Sequence, residues 1–174
     1  MTKSPDLLRC DMRLPDLDPR YGNNFVDGNV LQPNGGAEDK AVEEILRLRE
    51  GGADFVLLLP YSVKAEIAHP NTPPEVKRRA AQFVYSVPVQ LTPPELAKHD
   101  RIRDLIRGNA QPGQHDRDAF HLVESAKYGG RHFITSDTRL LKKADEIWRI
   151  LQLKVLTPTE FLAAYVTHAK KDPP

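Results

Sequence analysis

Four acidic residues lie close to the ends of the apolar segments from which a buried sheet would be built. Asp27 and Asp137 follow the short apolar runs FV and FIT, at distances of one and two residues. Glu66 lies in a helical segment after the apolar run DFVLLL, and Asp118 opens the helical segment before FIT. In a parallel sheet the carboxyl ends of the strands share one edge, and ligands bind beyond that edge. The sequence therefore predicts that the four carboxylates lie there together.

Each of these acids also has a purely structural explanation. Asp27, in the stretch DGN, would suit a turn, Asp137 would cap the helix that follows it, and Asp118 would complement the dipole at a helix start. Glu66 fits such an explanation less well, since a capping box begun by Ser62 requires its acidic residue three positions on, where the chain has alanine. Four acids at equivalent places favour a shared chemical role over four unrelated structural ones.

Carboxylates that converge repel one another, and each raises the pKa of its neighbours. A divalent cation would remove this conflict, and oxygen ligands suit Mg²⁺ or Mn²⁺. Zinc fits poorly, because the six histidines include no His-x-x-x-His pair and the chain has a single cysteine. The Gly-Gly pairs are not followed by Lys-Ser/Thr and form no GxGxxG, which argues against a nucleotide cradle. A carboxylate cluster with a hard metal is typical of sites that hydrolyse phosphodiesters with metal-activated water.

Apolar runs and helical patterns alternate along the chain, which predicts a parallel sheet covered by helices on both sides. The predicted strands are 25–26, 54–59, 87–91, 132–135 and 154–157. The predicted helices are 38–50, 62–69, 73–85, 93–106, 114–130, 139–151 and 158–169. We expect residues 1–22, which lack periodicity, to form an irregular arm, residues 23–167 to form the domain, and residues 168–174 to form a C-terminal tail.

Composition limits the classes of protein to consider. The 174 residues suit one domain, and 40% hydrophobic with 28% charged residues is ordinary for a soluble globular protein. A formal net charge of +1 gives no general attraction to nucleic acid or membrane, so such binding requires a local patch. The single Cys10 allows no internal disulfide, and no apolar run approaches the roughly 18 residues of a membrane span. With no apolar core of a secretion signal at the start, we expect a cytoplasmic protein without membrane contact.

Four segments resemble the motifs of the PIN domain nucleases, over residues 23–165. FVDGNVL resembles the opening strand of that family, and SVKAEI resembles its second motif. The most specific segment is DRDAFHLVESAKYGGRHFITSDTRLL, with an Asp at a helix start, a glycine eleven residues later, a strand and then Thr-x-Asp. KVLTPTEFL is similar to the last strand and helix of the family. Gly28, where the family more often has a larger side chain, and the long N-terminal arm depart from the pattern.

The resemblance implies a three-layer α/β/α sandwich with a mostly parallel central sheet. It also implies catalytic acids that bind Mg²⁺ or Mn²⁺, with two supporting side chains: Asp27, Glu66, Asp118 and Asp137, supported by Asn29 and Thr135. Asp116 competes with Asp118 for the third position, although helix facing and the spacing to Gly129 favour Asp118. The implied activity is hydrolysis of single-stranded or structured RNA.

Basic residues surround the predicted site and would contact the phosphates of a substrate. Arg117 and Arg139 adjoin predicted ligands and are the strongest candidates, whereas the lysines further along the chain are more simply explained as solvated surface charges. His121 falls three residues after Asp118, near the same helix face, where it would contact substrate or take part in packing.

Three functions are open at this point. The first is a metal-dependent ribonuclease; in the toxin branch of the resembled family a small antitoxin protein would be its partner, and a homodimer is also compatible with the sequence. The second is a non-catalytic scaffold on the same fold that binds RNA or protein, which the complete set of acids disfavours. In the third, a phospho-acceptor or phosphatase domain, Asp27 would be the nucleophile.

Overall fold

The computed structural model describes residues 14–171 of the chain. Within this range five strands form one sheet: β1 (Asn23–Val26), β2 (Val56–Leu59), β3 (Val84–Tyr85), β4 (Gly130–Ile134) and β5 (Lys154–Leu156). Their order across the sheet is β3-β2-β1-β4-β5, and all neighbouring strands are parallel. The central strand is therefore β1, with β2 on one side and β4 on the other.

Helices cover both faces of this sheet. They are α1 (Ala37–Glu50), α2 (Val63–Ala68), α3 (Pro74–Ala80), α4 (Pro93–Arg107), α5 (Asp116–Lys127), α6 (Thr138–Leu141), α7 (Ala144–Leu151) and α8 (Pro158–Lys171). One apolar cluster includes Ile45 of α1 and Phe161 of α8, and a second includes Ile102, Leu122 and Ile147 of α4, α5 and α7. This architecture confirms the predicted α/β sandwich, with a sheet that is wholly parallel. None of the helices within residues 14–171 combines the length and apolar character needed to cross a membrane.

The central strands β1 and β4 are apolar on both faces at their carboxyl ends. Phe25 and Phe133 belong to the second cluster, whereas their neighbours Val26 and Ile134 belong to the first. This alternation follows from strand geometry, in which successive side chains point to opposite faces, and from helices that cover both faces. Each of the four side chains is at most 3% exposed. The ends of β1 and β4 are therefore held by packing from both sides.

The third strand differs from the prediction. Residues 87–91 form no strand, and β3 lies just before them. Proline at position 88 has no N–H group for a ladder hydrogen bond, which disfavours a strand there. The helix predicted over 73–85 is α3, and it ends at Ala80 because the residues of β3 pair with β2 instead. Periodicity alone does not separate a short buried strand from the end of a helix.

The helix predicted over 139–151 is two helices, α6 and α7. Lys143 precedes α7 with φ −110° and ψ 12°, outside the helical region, and so interrupts the hydrogen-bond ladder. Leu140 and Ile147 are both buried in the second apolar cluster. Because they lie seven residues apart, close to two helical turns, their spacing is the same as in one continuous helix.

The described part of the N-terminal arm docks on the domain. Residues 14–22 form neither helix nor strand, as expected, but Lys154 Nζ donates to the Pro15 carbonyl over 2.8 Å. His168 Nε2 lies 2.9 Å from Asp16 Oδ1, which fastens the arm to α8. Helix α8 continues to Lys171, past residue 167, where we expected the domain to end and the C-terminal tail to begin. The remainder of the predicted arm, 1–13, and residues 172–174 of the predicted tail lie outside the described residues.

Candidate functional site

The chain leaves β1 and β4 in opposite directions across the sheet, toward β2 and toward β5. Such a switch point opens a crevice at the carboxyl ends of the two strands, where ligands bind in open α/β folds. Asp27 directly follows β1, and Thr135 and Asp137 follow β4. The Asp27 N–H donates to the Ile134 carbonyl over 2.9 Å, so the backbone ladder holds the two strand ends side by side.

Thr135 connects the groups at these two strand ends. Its hydroxyl donates to Asp27 Oδ2 over 2.7 Å and accepts from the Asp137 N–H over 3.0 Å. Asn29 Nδ2 also donates to this hydroxyl, over 3.3 Å, and Asn29 Oδ1 accepts from the N–H of Ser136 over 3.3 Å. Thr135 is fully buried. The two residues predicted to support the acids therefore connect the loop after β1 to the loop after β4.

Asp27 carries a strongly perturbed carboxyl group. Its pKa is raised to about 7, mainly because burial removes water from the charged form. The hydrogen bond from Thr135 favours the charged form and opposes the shift, whereas the charges of Asp118 and Asp137 increase it. The three aspartates thus lie within electrostatic reach of one another. A positive charge placed beside Asp27 would be strongly favourable.

Asp118 and Asp137 share a counter-charge in Arg139. One guanidinium nitrogen, Nη2, lies 3.1 Å from Asp118 Oδ2 and 2.5 Å from Asp137 Oδ2. Asp137 also caps α6, since its Oδ1 accepts from the backbone N–H of Arg139 over 2.8 Å. The capping role predicted for Asp137 as the structural alternative is therefore confirmed, and the same side chain faces Asp118 through the guanidinium. Arg139, expected to bind substrate, is engaged with two of the acids.

His115 is a site residue that the sequence did not indicate. It precedes α5 with φ 68° and ψ 9°, the left-handed conformation that residues other than glycine rarely adopt. Its Nδ1 lies 3.2 Å from Asp118 Oδ2 and contacts Arg139 Nη1. The sequence predicts a helix from position 114 onward, whereas α5 begins at Asp116, because periodicity gives no signal for the backbone turn at His115. Uncommon backbone conformations cluster at functional sites, which makes this position notable.

Glu66, on α2, lies beside α5 rather than at the two strand ends. Its Oε1 is 3.5 Å from His121 Nε2 and 3.6 Å from Arg117 Nη1. Burial raises the pKa of Glu66; Arg117 opposes that shift, and the charge of Asp118 adds to it. The charge of Asp118 therefore acts on both Glu66 and Asp27. His121 is 4% exposed and burial lowers its pKa to about 4, so at neutral pH it is an uncharged partner of Glu66.

Glu124 is a second residue that the sequence did not indicate. It is 1% exposed, and its Oε2 accepts from the Ser62 N–H over 3.1 Å and from the Ser62 hydroxyl. Ser62 directly precedes α2, which carries Glu66. The local capping box considered for Ser62 is absent, and its carboxylate partner comes from α5 instead. Glu124 thus anchors the start of α2 to the helix that carries Asp118.

The donors at this site suit a hard divalent cation by their chemistry, since they are carboxylate and hydroxyl oxygens. The raised pKa of Asp27 also indicates a place where added positive charge would be stabilising. However, no three His, Cys, Asp or Glu side chains within residues 14–171 are arranged as a group that could hold a metal ion. Arg139 forms ion pairs with two of the acids, Asp118 and Asp137, instead. The residues therefore fit a metal in donor type, with Arg139 present as an internal counter-charge.

A cleft of about 1140 Å³ lies next to these acids. Glu66 and Asp118 both line it, so it adjoins the predicted site directly. The segment after α2, the residues around the start of α5, and His99 of α4 form its other walls. The cleft places an accessible volume beside the carboxylates, as a site for a large substrate requires.

Comparison of the chain with protein-family models, with curated proteins and with solved structures found no match in any of the three.

Proposed function

We propose that this protein is a Mg²⁺- or Mn²⁺-dependent ribonuclease of the PIN type, which acts in the cytoplasm on single-stranded or structured RNA. The observation that carries the proposal is the group formed by Asp27, Asp118 and Asp137. These residues come from two strand ends and a helix start. Burial is the main cause that raises the pKa of Asp27 to about 7, and Asp118 and Asp137 are close enough that their charges add to this shift. Such accumulation of like charge is unfavourable for a purely structural site and is typical of sites that bind cations or phosphoryl groups.

The resemblance of four sequence segments to PIN domains gives independent support. A parallel sheet with its switch point at Asp27 and Asp137 is the architecture that such a site requires. In that setting, Asp27, Glu66, Asp118 and Asp137 would hold the cation. When bound, the ion would activate water as the nucleophile and offset charge on the phosphate.

The other residues of the site position these groups. Thr135 fixes one oxygen of Asp27, and its hydroxyl receives hydrogen bonds from the backbone of Asp137 and from Asn29. His121, uncharged at neutral pH, supports Glu66 without neutralising it. The Arg117 side chain is 81% exposed and is therefore available to a substrate phosphate at the edge of the site.

Partners of two further kinds belong to this proposal. In the toxin branch of the PIN family, a small antitoxin protein blocks the acidic site, and the open cleft beside Glu66 and Asp118 is where such a protein would bind. A second copy of this chain, in a homodimer, is the other partner that we propose.

One observation favours a non-catalytic scaffold as the alternative. Arg139 pairs with Asp118 and Asp137, and the acids within residues 14–171 do not form a ready metal site. If Arg139 kept these contacts in the presence of Mg²⁺ or Mn²⁺, the same surface would bind RNA or protein without cutting it.

End-labelled single-stranded RNA distinguishes these functions. We expect cleavage with Mn²⁺ or Mg²⁺, no cleavage in EDTA, and products with a 5′-phosphate and a 3′-hydroxyl, because activated water needs no help from the ribose hydroxyl. Asp27→Asn should abolish cleavage, whereas Asp104→Asn, at an exposed acid on α4, should not. A 2′,3′-cyclic phosphate product or cleavage undiminished in EDTA would contradict the metal-dependent mechanism. Binding of RNA without any cleavage would favour the scaffold.

A further inference from the structure

The cleft beside the acids is lined in part by aromatic and imidazole rings. Imidazole rings of His69 and His99 and the ring of Phe120 all contribute to its walls. Phe120 and His99 form an edge-to-face pair, with ring centroids 6.2 Å apart and an interplanar angle of 67°. Phe120 is only half-buried, although it lies on α5 next to the fully buried Ala119. An aromatic ring that remains partly exposed inside a cleft is available to stack on a planar ligand.

The charges of the cleft restrict which part of a nucleotide it would accept. Asp116, Asp118 and Glu66 line it, whereas Arg117 is the cation among its lining residues. A phosphate would therefore be repelled from the interior and attracted only to the Arg117 side of the rim. A nucleobase carries no charge, and its polar edge can be bonded by the amide and imidazole groups of Asn71 and His69.

The position of the cleft relates it to the acids. Glu66 and Asp118 belong both to the cleft wall and to the proposed site of cleavage. A strand whose phosphate lies at the proposed cation, which would offset the charge of the acids, would place the next nucleotide in the cleft, if its bases are unpaired and free to turn outward. The volume of about 1140 Å³ exceeds what one base requires, so the cleft has room for a base with its sugar.

We propose that this cleft is a nucleotide subsite, which binds an unstacked base of single-stranded RNA next to the phosphate at the acids, with Phe120 as the stacking surface. The subsite rests on the proposed ribonuclease function and adds a preference for unpaired bases to it. A basic protein segment is the rival occupant, because it would also suit the carboxylates. The rings favour a base, since every base has a face on which an aromatic side chain can stack.

The test measures binding of a fluorescein-labelled oligoadenylate of about ten nucleotides by fluorescence anisotropy, in Mn²⁺. All proteins carry Asp27→Asn, so that the probe stays uncut. Phe120→Ala should weaken binding about tenfold, within the range known for loss of one base–aromatic stack, and Phe120→Trp should retain it. Tyr165→Ala is the matched control, because Tyr165 is a half-buried ring on α8 that packs on Phe55 away from the cleft.

A second probe requires no change to Phe120. An oligomer of the same length and charge, with its bases replaced by abasic residues, should bind about tenfold more weakly than oligoadenylate. Phe120→Ala should add little to that loss, because both changes remove the same contact.

The outcomes separate the subsite from the ribonuclease function. If wild-type protein cleaves the RNA, but neither the abasic probe nor Phe120→Ala changes binding, the subsite is wrong and a protein segment becomes the better occupant of the cleft. If the probe is neither bound nor cut in Mn²⁺ or Mg²⁺, the ribonuclease function and the subsite both fail.

Discussion

At Asp27, desolvation and the charges of Asp118 and Asp137 act together against ionisation. Because the pKa is raised to about 7, this carboxyl group loses its proton only near pH 7 in the folded protein, whereas in the unfolded chain it does so near its ordinary pKa of 3.8. Because the folded-state pKa is the higher one, the ionisation of Asp27 opposes folding progressively as pH rises from about 4 to 7. Above that range the destabilisation is complete.

Asp27→Asn should accordingly stabilise the metal-free protein, and more at pH 8 than at pH 5. The asparagine cannot ionise, so the variant avoids an unfavourable charge that is fully developed only at the higher pH. Urea denaturation in EDTA at both pH values measures the difference in free energy of unfolding. Asp104→Asn controls for loss of an exposed acid. A gain of equal size at pH 5 and pH 8 would contradict the raised pKa.

Arg139 is the charged partner of the other two aspartates, Asp118 and Asp137. Its guanidinium pairs with Asp118 and Asp137, so the divalent cation that we propose would have to compete with it for these two acids. Arg139→Gln should therefore destabilise the metal-free protein by about 1–3 kcal/mol, since it leaves two carboxylates without their charged partner. The same substitution should tighten binding of Mn²⁺, because the acids become free.

Isothermal titration and thermal shifts with Mn²⁺ test both effects of Arg139 without an activity assay. A cation that binds the folded state stabilises it by mass action, so the shift should be larger in the variant than in wild type. Arg103→Gln, which removes a partly exposed arginine from α4, is the control. Weaker Mn²⁺ binding in Arg139→Gln would show that the arginine assists the site and does not compete for it.

At the scale of elements, the placement of Glu66 depends on how α2 begins. This helix has six residues, too few to be stable alone, and its first turn is bound by Glu124 from α5. A buried carboxylate that accepts from both the N–H and the hydroxyl of Ser62 connects the helix of Glu66 with the helix of Asp118.

Glu124→Ala should loosen α2 and lower the free energy of unfolding by about 2–4 kcal/mol, because it leaves a cavity and two unpaired donors at Ser62. Faster hydrogen exchange of amides in α2, relative to those of α1, would locate the effect. Glu124→Gln keeps an oxygen acceptor and should restore most of the protection. Glu44→Ala, at an exposed ion pair on α1, serves as the control for charge. Unchanged exchange in α2 of Glu124→Ala would remove the anchoring role.

At the scale of the whole molecule, the described part of the N-terminal arm, residues 14–22, contacts both the sheet and the helix α8. Its contacts are with Asn24 of β1, Lys154 of β5 and His168 of α8. The Asn24 amide donates to the Pro19 carbonyl over 2.9 Å, and both residues are buried. The arm therefore contributes to the packing of elements that are far apart in sequence.

Deletion of residues 1–22 should lower the melting temperature, because it removes these contacts and leaves the amide of Asn24 without one acceptor. Deletion of residues 1–13 alone preserves every contact named for the arm and is the matched control. Differential scanning fluorimetry of both truncations measures the difference. Equal melting temperatures would mean that residues 14–22 add nothing to stability.

The sequence by itself determined the sandwich of helices around a parallel sheet, because alternation of apolar strands with amphipathic helices leaves few other ways to bury them. It also located the candidate acids along the chain, since Asp27 and Asp137 follow, within two residues, apolar runs that become neighbouring strands. These are local patterns, which can be read along the sequence without knowledge of the tertiary contacts. The apolar pattern could not distinguish two structures that share the same periodicity. It did not separate β3 from the end of a helix, or α6 and α7 from one continuous helix.

Only the tertiary structure decided how the acids are partnered. The pairing of Arg139 with Asp118, the anchoring of Ser62 by Glu124, and the left-handed turn at His115 join segments that lie apart along the chain or depend on a backbone conformation. No local pattern encodes such pairs, because they form only when tertiary packing brings α5 next to α2 and next to α6. The pKa of Asp27 belongs to the same class, since burial and neighbouring charges exist only after the chain has folded.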